Sequence, residues 1–417
     1  MQTTLHSEFA GTADGTRAET ILRKCVHCGF CLATCPTYQL LGSELDSPRG
    51  RIYLIKQVLE GQVPGRGTQL HLDRCLTCRN CETTCPSGVD YADLLDIGRR
   101  VVDARVTRPP VQRLARWALK EGLNSRAFAP LLRVAGALRP VLPAAWRRKL
   151  SMGAKAAPAH GSAWPQRTHA RRMLLLAGCV QPSLEPNINP ATARVLDAAG
   201  IQTLVAPEAG CCGAIRAHLA DQAGGLADMR RNIDAWWPYI EGGAAGAPVE
   251  AIVINASGCG VTVKEYGHLL AADPAYAAKA QRVSALARDL SEVIGGLVAA
   301  LKPRLPADLG AMAVHVPCTL QHGQRLPGRL ESLLRELGFA VSVAGEEHHL
   351  CCGSAGTYSL LQPELAVRLR DRKLEQLGKL GAPCIVSANV GCIHHLQSGT
   401  TLPVKHWIEL LDHALFQ

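Results

Sequence analysis

The chain has 417 residues, enough for two or three domains, and 47% of them are hydrophobic, as in globular proteins with sizeable cores. Its formal net charge is +10, and 17 of its residues are cysteines. The amino-terminal stretch has no basic start and no apolar run, which argues against a secretory signal, and no apolar stretch reaches the ~18–20 residues of a membrane span. We therefore expect a cytoplasmic protein, in which clustered cysteines bind metal or react rather than form disulfides.

Two cysteine runs occupy the first hundred residues. The first, CVHCGFCLATCP, contains Cys25, Cys28, Cys31 and Cys35, and the second, CLTCRNCETTCP, contains Cys75, Cys78, Cys81 and Cys85. Both runs fit C-x2-C-x2-C-x3-C-P, the pattern of bacterial two-cluster ferredoxins. Three cysteines spaced by two residues can wrap three corners of a [4Fe–4S] cluster, so the fourth ligand must come from elsewhere.

In two-cluster ferredoxins the fourth cysteine of each run ligates the other cluster. The sequence therefore predicts a mostly helical, ferredoxin-like domain over residues 15–100 that binds two [4Fe–4S] clusters. The predicted ligands of cluster 1 are Cys25, Cys28, Cys31 and Cys85, and those of cluster 2 are Cys75, Cys78, Cys81 and Cys35. Structural zinc is the alternative, but a third cysteine at the same spacing has no place in a paired-knuckle zinc site.

Two arginines lie in the segment SPRGRIYLI between the runs. Arg49 and Arg51 are placed to interact with the negative charge of a cluster or with a partner protein. An ordinary salt bridge is an equally good interpretation of both.

A basic linker with helices is predicted over residues 101–170. From Arg99 to Arg172 the chain has 17 Lys or Arg residues and only two acidic residues. The same segment contains the aromatic residues Trp117, Phe128 and Trp146. Such a segment can dock on an anionic membrane at its cytoplasmic face, dock on an acidic partner, or remain a solvated linker. The candidate membrane contacts are Arg113, Arg116, Arg147 and Arg148. No nucleic-acid-binding motif accompanies the charge, so we expect no nucleic-acid partner.

Residues 171–417 contain an internal repeat, with one copy over 171–300 and one over 301–417. Each copy has an apolar run before a lone cysteine, a helical stretch, a Cys-Cys-Gly, a second apolar run before another lone cysteine, and a closing helical segment. The cysteines are Cys179, Cys211, Cys212 and Cys259 in the first copy, and Cys318, Cys351, Cys352 and Cys392 in the second. Apolar runs alternating with helices predict a duplicated α/β domain with a largely parallel sheet, at whose carboxyl edge the cysteines gather.

Four thiolates per copy can hold a further iron–sulfur cluster, hold zinc, act as a redox dithiol, or pack as core thiols. The histidines His348, His349, His394 and His395 lie beside repeat cysteines. They are candidate ligands, hydrogen-bond donors to thiolates, or surface polar groups. Cys384 lies outside the repeat and is expected to be a core thiol.

The sequence has no dinucleotide-binding fingerprint, P-loop or nucleophile elbow. Two clusters without an organic redox centre predict that electrons arrive from one partner and leave to another.

The twin cysteine runs, the segment SPRGRIYLIK between them and the duplicated Cys-Cys-Gly region resemble the iron–sulfur subunit family of bacterial glycolate oxidase (glycolate dehydrogenase). The resemblance runs from about residue 20 to 417. It implies an electron-transfer subunit with no catalytic residue of its own, in a complex that oxidises glycolate to glyoxylate and often D-lactate to pyruvate. It also implies that flavoprotein partner subunits hold FAD and the substrate, and that electrons pass to quinone or another acceptor besides oxygen. The cluster ligands of the family fall on the eight cysteines of the two runs.

The broader superfamily, which includes the B subunit of heterodisulfide reductase, often ends its Cys-Cys-Gly modules in C-x-x-C. Thr262 and His395 stand at the positions of that last cysteine here, which leaves at most a four-cysteine site per repeat. The alternative functions are an iron–sulfur subunit of a glycerol-3-phosphate or lactate dehydrogenase, a thiol–disulfide reductase that uses the Cys-Cys-Gly sites, and a cluster-based sensor or scaffold.

Overall fold

The computed structural model describes residues 1–125, 128–137, 163–243 and 246–416. Residues 1–125 form helices and no strand. These helices are Ala13–Lys24, Phe30–Ala33, Pro36–Leu41, Pro48–Leu59, Arg66–Asp73, Asn80–Thr84, Tyr91–Arg105 and Pro110–Gly122, with a 3-10 turn at Glu44–Asp46. The mostly helical amino-terminal region predicted from the cysteine runs is therefore confirmed.

Three longer helices, Ala13–Lys24, Pro48–Leu59 and Tyr91–Arg105, hold this region together. Their shared core contains Leu22 and Ile55, both fully buried. Burying an aliphatic side chain of this size stabilises the fold by roughly 1.5–3 kcal/mol. Since the middle helix lies between the two cysteine runs in sequence and packs on both other helices, it fixes the distance between the runs.

The predicted linker is largely helical over residues 101–125 and 128–137, whereas its described residues 163–170 are irregular. Helix Tyr91–Arg105 runs past the predicted boundary at residue 100, and helices Pro110–Gly122 and Phe128–Ala137 follow it. Residues 138–162, which include Trp146 and two of the four candidate membrane arginines, lie outside the described part of the chain.

Two parallel four-stranded sheets form the carboxyl-terminal region. The first contains β1 (Arg171–Leu175), β2 (Ile201–Leu204), β3 (Ala251–Ile254) and β4 (Ala287–Asp289), and the second contains β5 (Ala311–Val314), β6 (Ala340–Ser342), β7 (Ile385–Ser387) and β8 (Val404–His406). Their strand orders are β2-β1-β3-β4 and β6-β5-β7-β8. The register is also equivalent, since Leu174 pairs with Leu204 and Ile252 while Ala313 pairs with Ser342 and Ile385. The predicted duplicated α/β domain with parallel strands is confirmed, with one sheet for each copy.

The helices of this region cover the sheets, as βα units require. They are Gln181–Leu184, Ile188–Ala198, Ala214–His218, Gln222–Glu241, Ser257–Lys264, Tyr266–Leu269, Ala277–Leu286, Leu290–Gly295, Val298–Leu301, Arg329–Leu337, Tyr358–Leu361, Pro363–Gly378, Val390–Gln397 and Trp407–Phe416, with a π-helical turn at Thr319–Gly323 and a 3-10 turn at Lys302–Arg304. The closing segment of each copy was expected to be helical, but it also contains the three-residue strand β4 or β8.

One apolar core runs through both repeats. It includes Val195 and Leu290 from the first copy and Leu334 and Trp407 from the second, and Cys384 packs at its edge as predicted. The two repeats therefore share part of their interior.

Two helices, Ile188–Ala198 of the first repeat and Trp407–Phe416 of the second, pack against each other between the repeats. Arg194 Nε donates to Asp412 Oδ1 across this contact (2.8 Å). Near the carboxyl ends of the central strands, the backbone N–H of Ser257 donates to the carbonyl oxygen of Ala388 (3.0 Å). This contact brings the cysteine-bearing edges of the two sheets close to each other.

Candidate metal centres

The two cysteine runs fold into loops of the same shape. The third and fifth residues of each loop have left-handed backbone conformations: His27 (φ 57°) and Gly29 (φ 88°) in the first, Thr77 (φ 53°) and Arg79 (φ 60°) in the second. A helix of four or five residues follows each loop. Left-handed residues change the direction of the chain sharply, so each loop curls around a centre of its own.

A cavity lies at the first loop, and the thiol-bearing residues Cys25, Cys28 and Cys31 line it. Cys85, the fourth cysteine of the second run, lines the same cavity, and Cys81 borders it too. A donor set of three cysteines from one run and the fourth cysteine of the other fits a [4Fe–4S] cluster.

The second group consists of Cys75, Cys78 and Cys81, with Cys35 of the first run near them. Burial raises the pKa of the Cys78 and Cys81 thiols well above the ordinary thiol range, and the charges of Cys75 and Cys35 add to that shift. The Tyr91 hydroxyl donates to Cys75 Sγ (3.6 Å). A buried group of this kind is stable as thiolates only when a positive centre compensates the charge, which a bound metal provides.

Arg51 is buried beside this second group, with 1% of its surface exposed. Its Nε donates to the carbonyl oxygen of His71 (2.7 Å), its terminal nitrogen donates to Thr37 Oγ1 (3.1 Å), and Asp46 Oδ1 lies 3.5 Å away. Burial opposes its charge, but Cys75 and other acidic neighbours raise the pKa of Arg51 overall. The structure thus combines the two sequence interpretations, because Arg51 forms a salt bridge and also places a permanent cation beside the thiols.

Two further arginines support the loops. Arg49 donates to Glu44 Oε1 (2.7 Å) and lines the cavity of the first group. Arg99 donates to the carbonyl oxygens of Leu72 (2.9 Å) and Cys75 (2.8 Å), where the second loop begins. The two bonds of Arg99 pair backbone carbonyl groups that would otherwise be unpaired in a buried place.

The four cysteines of the first repeat meet at the carboxyl edge of its sheet, as predicted. Cys179 follows β1, Cys211 and Cys212 follow β2, and Cys259 lies in the first turn of the helix after β3. Consecutive thiols of the group interact, Cys179 with Cys211, Cys211 with Cys212, and Cys212 with Cys259. The interactions with Cys179 and Cys212 lower the pKa of the Cys211 thiol.

The second repeat reproduces this chain of thiols. Consecutive thiols interact here too, Cys318 with Cys351, Cys351 with Cys352, and Cys352 with Cys392. All four residues are buried, each with 9% or less of its surface exposed. The eight repeat cysteines thus lie in two groups of four, one group in each repeat.

The glycine of each Cys-Cys-Gly is required by its backbone. Gly213 has φ 94° and Gly353 has φ 89°, in the left-handed region that other residues avoid. A Cβ would also lie 2.8 Å from the carbonyl oxygen of Gly225 in the first repeat and 2.5 Å from that of Ala366 in the second. The close approach lets the helix behind each motif pack directly against it.

His315 is a functional candidate that sequence reasoning missed. One ring nitrogen of His315 and the thiols of Cys352 and Cys392 all lie within 4.8 Å of one another. In the described part of the chain, this is the one group of three metal-ligating side chains found at such short separations. The available signal was an imidazole in the apolar run MAVHVPC, three residues before Cys318.

The histidines that the sequence did single out have other contacts. His395 Nε2 lies 3.0 Å from a backbone carbonyl oxygen, and His394 Nε2 lies 2.9 Å from Glu185 Oε1. The rings of His348 and His349 pack edge to face. Within the described residues, none of these four belongs to the group that contains His315.

The second loop packs against the second repeat. Leu76 and Cys78 of the loop share an apolar contact region with Cys318, Cys351 and Tyr358 of the repeat. The two thiol groups, one from each domain, are thus neighbours.

Polar contacts hold this junction in place. Asn80 Nδ2 donates to the carbonyl oxygen of His349 (3.3 Å), and Thr83 Oγ1 lies 2.9 Å from His322 Nδ1. Arg79 forms a two-pronged ion pair with Glu265 of the first repeat. The second loop is therefore anchored to both repeats.

The first loop is open to solvent. Val26 and Phe30 are 67% and 61% exposed, and Cys28 between them is exposed as well. One thiol group of the amino-terminal region thus lies at the surface, and the other lies inside the molecule.

Comparison with known proteins agrees with this arrangement. Residues 21–89 match the family described as 4Fe-4S dicluster domain, and residues 173–264 and 312–397 match the family described as cysteine-rich domain. The chain is 53% identical to the glycolate oxidase iron–sulfur subunit of Escherichia coli (strain K12), over 100% of this chain and 99% of that protein. The chain belongs to the glycolate oxidase iron–sulfur subunit family. As in that family, it combines iron–sulfur-binding and cysteine-rich domains.

More distant relatives extend the comparison. The probable glycolate oxidase iron–sulfur subunit of Bacillus subtilis (strain 168) is 30% identical over 95% of this chain and 92% of its own length. Lactate utilization protein A of Geobacillus thermodenitrificans (strain NG80-2) is 25% identical, over 58% of this chain and 99% of its own length. The crystal structure of a hypothetical protein from Helicobacter pylori has the same fold, with a TM-score of 0.51 at 11% identity over 98% of this chain and 74% of that one.

No helix in the described ranges of this family member combines the length and the apolarity needed to cross a lipid bilayer.

Proposed function

We propose that the chain binds two [4Fe–4S] clusters with exchanged fourth ligands. Cys25, Cys28, Cys31 and Cys85 hold cluster 1, and Cys75, Cys78, Cys81 and Cys35 hold cluster 2. The lining of the cavity at the first loop supports the proposal, because Cys85 reaches it from the other run. Iron analysis of anaerobically reconstituted protein should give about eight iron atoms per chain, four per cluster. Stoichiometric zinc without visible charge-transfer absorption would contradict this.

The proposed activity is electron transfer within a complex that oxidises glycolate to glyoxylate, and also D-lactate. A flavoprotein subunit carries FAD and the substrate, and the electrons leave to quinone or another acceptor besides oxygen. The observation that supports a transfer role is the unequal placement of the two thiol groups, one exposed around Cys28 and one enclosed against the second repeat. An exposed group can exchange electrons with a partner, and an enclosed neighbour can carry them inward.

When bound, iron–sulfur clusters supply one-electron carriers whose potentials depend on charge, hydrogen bonding and burial. The chain's own residues set these conditions. Arg51 places a buried cation beside Cys75, and the Tyr91 hydroxyl donates to the Cys75 sulfur. Leu76 and Tyr358 help to exclude water from the second group, where they pack with Cys78.

The test uses the complete complex, purified with its flavoprotein subunits under anaerobic conditions. Adding glycolate should bleach the visible cluster absorption, and adding D-lactate should bleach it more slowly. Bleaching by glycerol-3-phosphate and not by glycolate would replace the substrate assignment while preserving electron transfer. No bleaching by any of the three, with both clusters present, would contradict the transfer role.

A lactate dehydrogenase complex is the second candidate, and it rests on a specific similarity. The similarity to lactate utilization protein A extends over 58% of this chain. The glycolate assignment is favoured because the 53% identity to the Escherichia coli subunit extends over the whole chain. A thiol–disulfide reductase fits less well, since Cys351 and Cys352 are 3% and 1% exposed and a disulfide substrate must reach its attacking sulfur.

A peripheral contact with an anionic membrane is proposed for helix Pro110–Gly122. Val111, Leu114 and Trp117 are 79%, 65% and 59% exposed at a spacing of three residues, and Arg113 on this helix is exposed too. A helix with such a stripe can bury it at the headgroup boundary.

The role predicted for Arg116 needs correction. Its guanidinium is paired with Asp73 (3.7 Å) and Asp103 (3.8 Å), so its charge is largely compensated within the chain. Binding of the protein to anionic vesicles should therefore weaken with salt and with Leu114→Ser, and Arg113→Gln should weaken it more than Arg116→Gln. No binding at low salt would contradict the membrane proposal.

A further inference from the structure

The two repeats differ at the place where their cysteines meet. Three residues before the first cysteine of the motif, the first repeat has Leu176 and the second has His315. Five residues before the last cysteine, the first repeat has Ile254 and the second has Ser387. All four side chains are buried. The duplicated fold therefore has an apolar pair in one copy and a hydrogen-bonding pair at the equivalent positions of the other.

His315 has an unpaired ring nitrogen in a buried place. It is 2% exposed, and its Nδ1 lies 3.0 Å from Ser387 Oγ. Its Nε2 has no hydrogen-bond partner in the described structure. Buried polar atoms are almost always paired, and an exception calls for an explanation such as a bound ion. A histidine that binds metal through one ring nitrogen usually forms a hydrogen bond through the other. His315 has this arrangement, since Ser387 contacts its Nδ1 and its Nε2 has no partner.

The separations of the donor atoms indicate a single ion. A ring nitrogen of His315 and the thiols of Cys352 and Cys392 lie within 4.8 Å of one another. In a tetrahedral site with metal–sulfur bonds of ~2.3 Å and metal–nitrogen bonds of ~2.0 Å, neighbouring donors stand about 3.5–4 Å apart. Thiolates that bind different irons of a cubane cluster stand farther apart. The geometry thus favours one ion over a third [4Fe–4S] cluster.

The surroundings also suit bound thiolates. Lys373 is 4% exposed, and its Nζ donates to the carbonyl oxygens of Glu347 and His348. Its charge interacts with the nearby thiols Cys351 and Cys352.

We propose that the second repeat binds one divalent ion of the zinc class through His315, Cys352, Cys392 and one thiolate of the adjacent Cys318 and Cys351. Mixed sulfur and nitrogen donors in a closed, buried site are typical of structural zinc. The first repeat, with Leu176 and Ile254 at the equivalent positions, has no such nitrogen donor. Of the uses considered for the repeat cysteines, the proposal selects zinc binding for the second repeat, and it adds His315 as a ligand. It does not depend on the two clusters of the amino-terminal runs.

The experiment measures zinc and iron separately in the purified full-length chain, so that this proposal and the cluster proposal fail in different ways. Wild-type protein should contain about one zinc besides its iron. His315→Leu, which installs the residue of the first repeat, should lower bound zinc at least tenfold after dialysis against a chelator, while iron and visible absorption stay unchanged. His394→Gln, at a neighbouring histidine outside the donor group, should leave both metals unchanged.

Cobalt provides the spectroscopic readout. Replacing zinc with Co²⁺ should give tetrahedral d–d bands and thiolate charge-transfer bands, and His315→Cys should retain the ion while shifting both sets of bands. If His315→Leu fails to fold, the His315→Cys comparison decides. Zinc retention by His315→Leu together with a cobalt spectrum unchanged by His315→Cys would overturn the histidine ligand. Loss of iron in place of zinc from the His315 variants would overturn the choice of metal.

Discussion

The two cysteine runs have the same pattern and the same loop conformation, yet they lie in opposite surroundings. The first loop exposes Val26, Cys28 and Phe30, whereas the second places Leu76 and Cys78 against the repeats. The local motif carries the ligands and the curvature of the backbone. The rest of the chain decides which site meets a partner and which is enclosed. The comparison teaches that a duplicated motif need not have a duplicated role.

The largest effect should come from the fourth cysteines. In a background where Cys25, Cys28 and Cys31 are all replaced by Ser, about four iron atoms should remain, held by the second run. Adding Cys35→Ser should remove most of them, and adding Cys85→Ser should leave them in place. Iron analysis and visible absorption measure both outcomes. The reverse result would show that each run fills its own site and would break the exchange between the loops.

Arg51→Met should destabilise the interior site strongly. It removes the buried cation and leaves Arg74 as the arginine partner of the buried Asp46 carboxylate, so the cost should approach but not exceed the roughly 3–5 kcal/mol of a broken buried pair. The urea concentration at which visible absorption is lost should fall markedly. The matched control is Arg49→Gln, whose ion pair with Glu44 is partly exposed and should contribute about 1 kcal/mol or less. Equal effects of the two changes would contradict the difference in burial.

Docking of the flavoprotein partner at the first loop should weaken when an exposed apolar side chain of that loop is replaced by a small polar one. Phe30→Ser should slow reduction of the chain by its flavoprotein partner about tenfold, since one exposed apolar anchor contributes about 1–2 kcal/mol to an interface. Rapid mixing of the reduced partner with this chain measures the rate, and the iron content should not change. Val63→Ser alters another highly exposed apolar side chain and should have no effect. A slower rate for Val63→Ser alone would place the partner elsewhere.

The smallest expected effect concerns the loss of iron from unmodified protein. The second repeat covers Cys78, so the site of the second run should be shielded from solvent. A hydrophilic iron chelator should therefore remove about half of the iron a few-fold faster than the rest. Kinetics with a single phase would show that both sites are equally accessible. Leu76→Ser, at the contact with the repeats, should bring the two phases closer together.

How far the sequence predicts this molecule depends on whether a feature is local. The cysteine spacing carries its own geometry, so both loops and both thiol groups of the repeats could be predicted. Strands β4 and β8 were missed because each has three residues and runs directly into a helix. Those helices dominate the periodicity of the segments, which hides the short strands.

The remaining surprises depend on contacts between distant parts of the chain. Arg116 counts as a free positive charge in the sequence, but Asp73 and Asp103 neutralise it in the fold. His315 looks like a lone polar residue in an apolar run, which by itself is most often a core residue. It becomes a candidate ligand only when the fold brings Cys352 and Cys392 beside it.

The contact between helices of the two repeats has a consequence for how the protein is made. Helix Ile188–Ala198 of the first repeat packs against helix Trp407–Phe416 of the second. A nascent chain on the ribosome therefore cannot cover this side of the first repeat until residues 407–416 have emerged, whereas the amino-terminal helices can pack as soon as residue 105 has emerged. Iron insertion into the two cysteine runs can thus begin during translation. A stop codon before Trp407 would leave the apolar side of the first repeat uncovered and expose the truncated product to proteases.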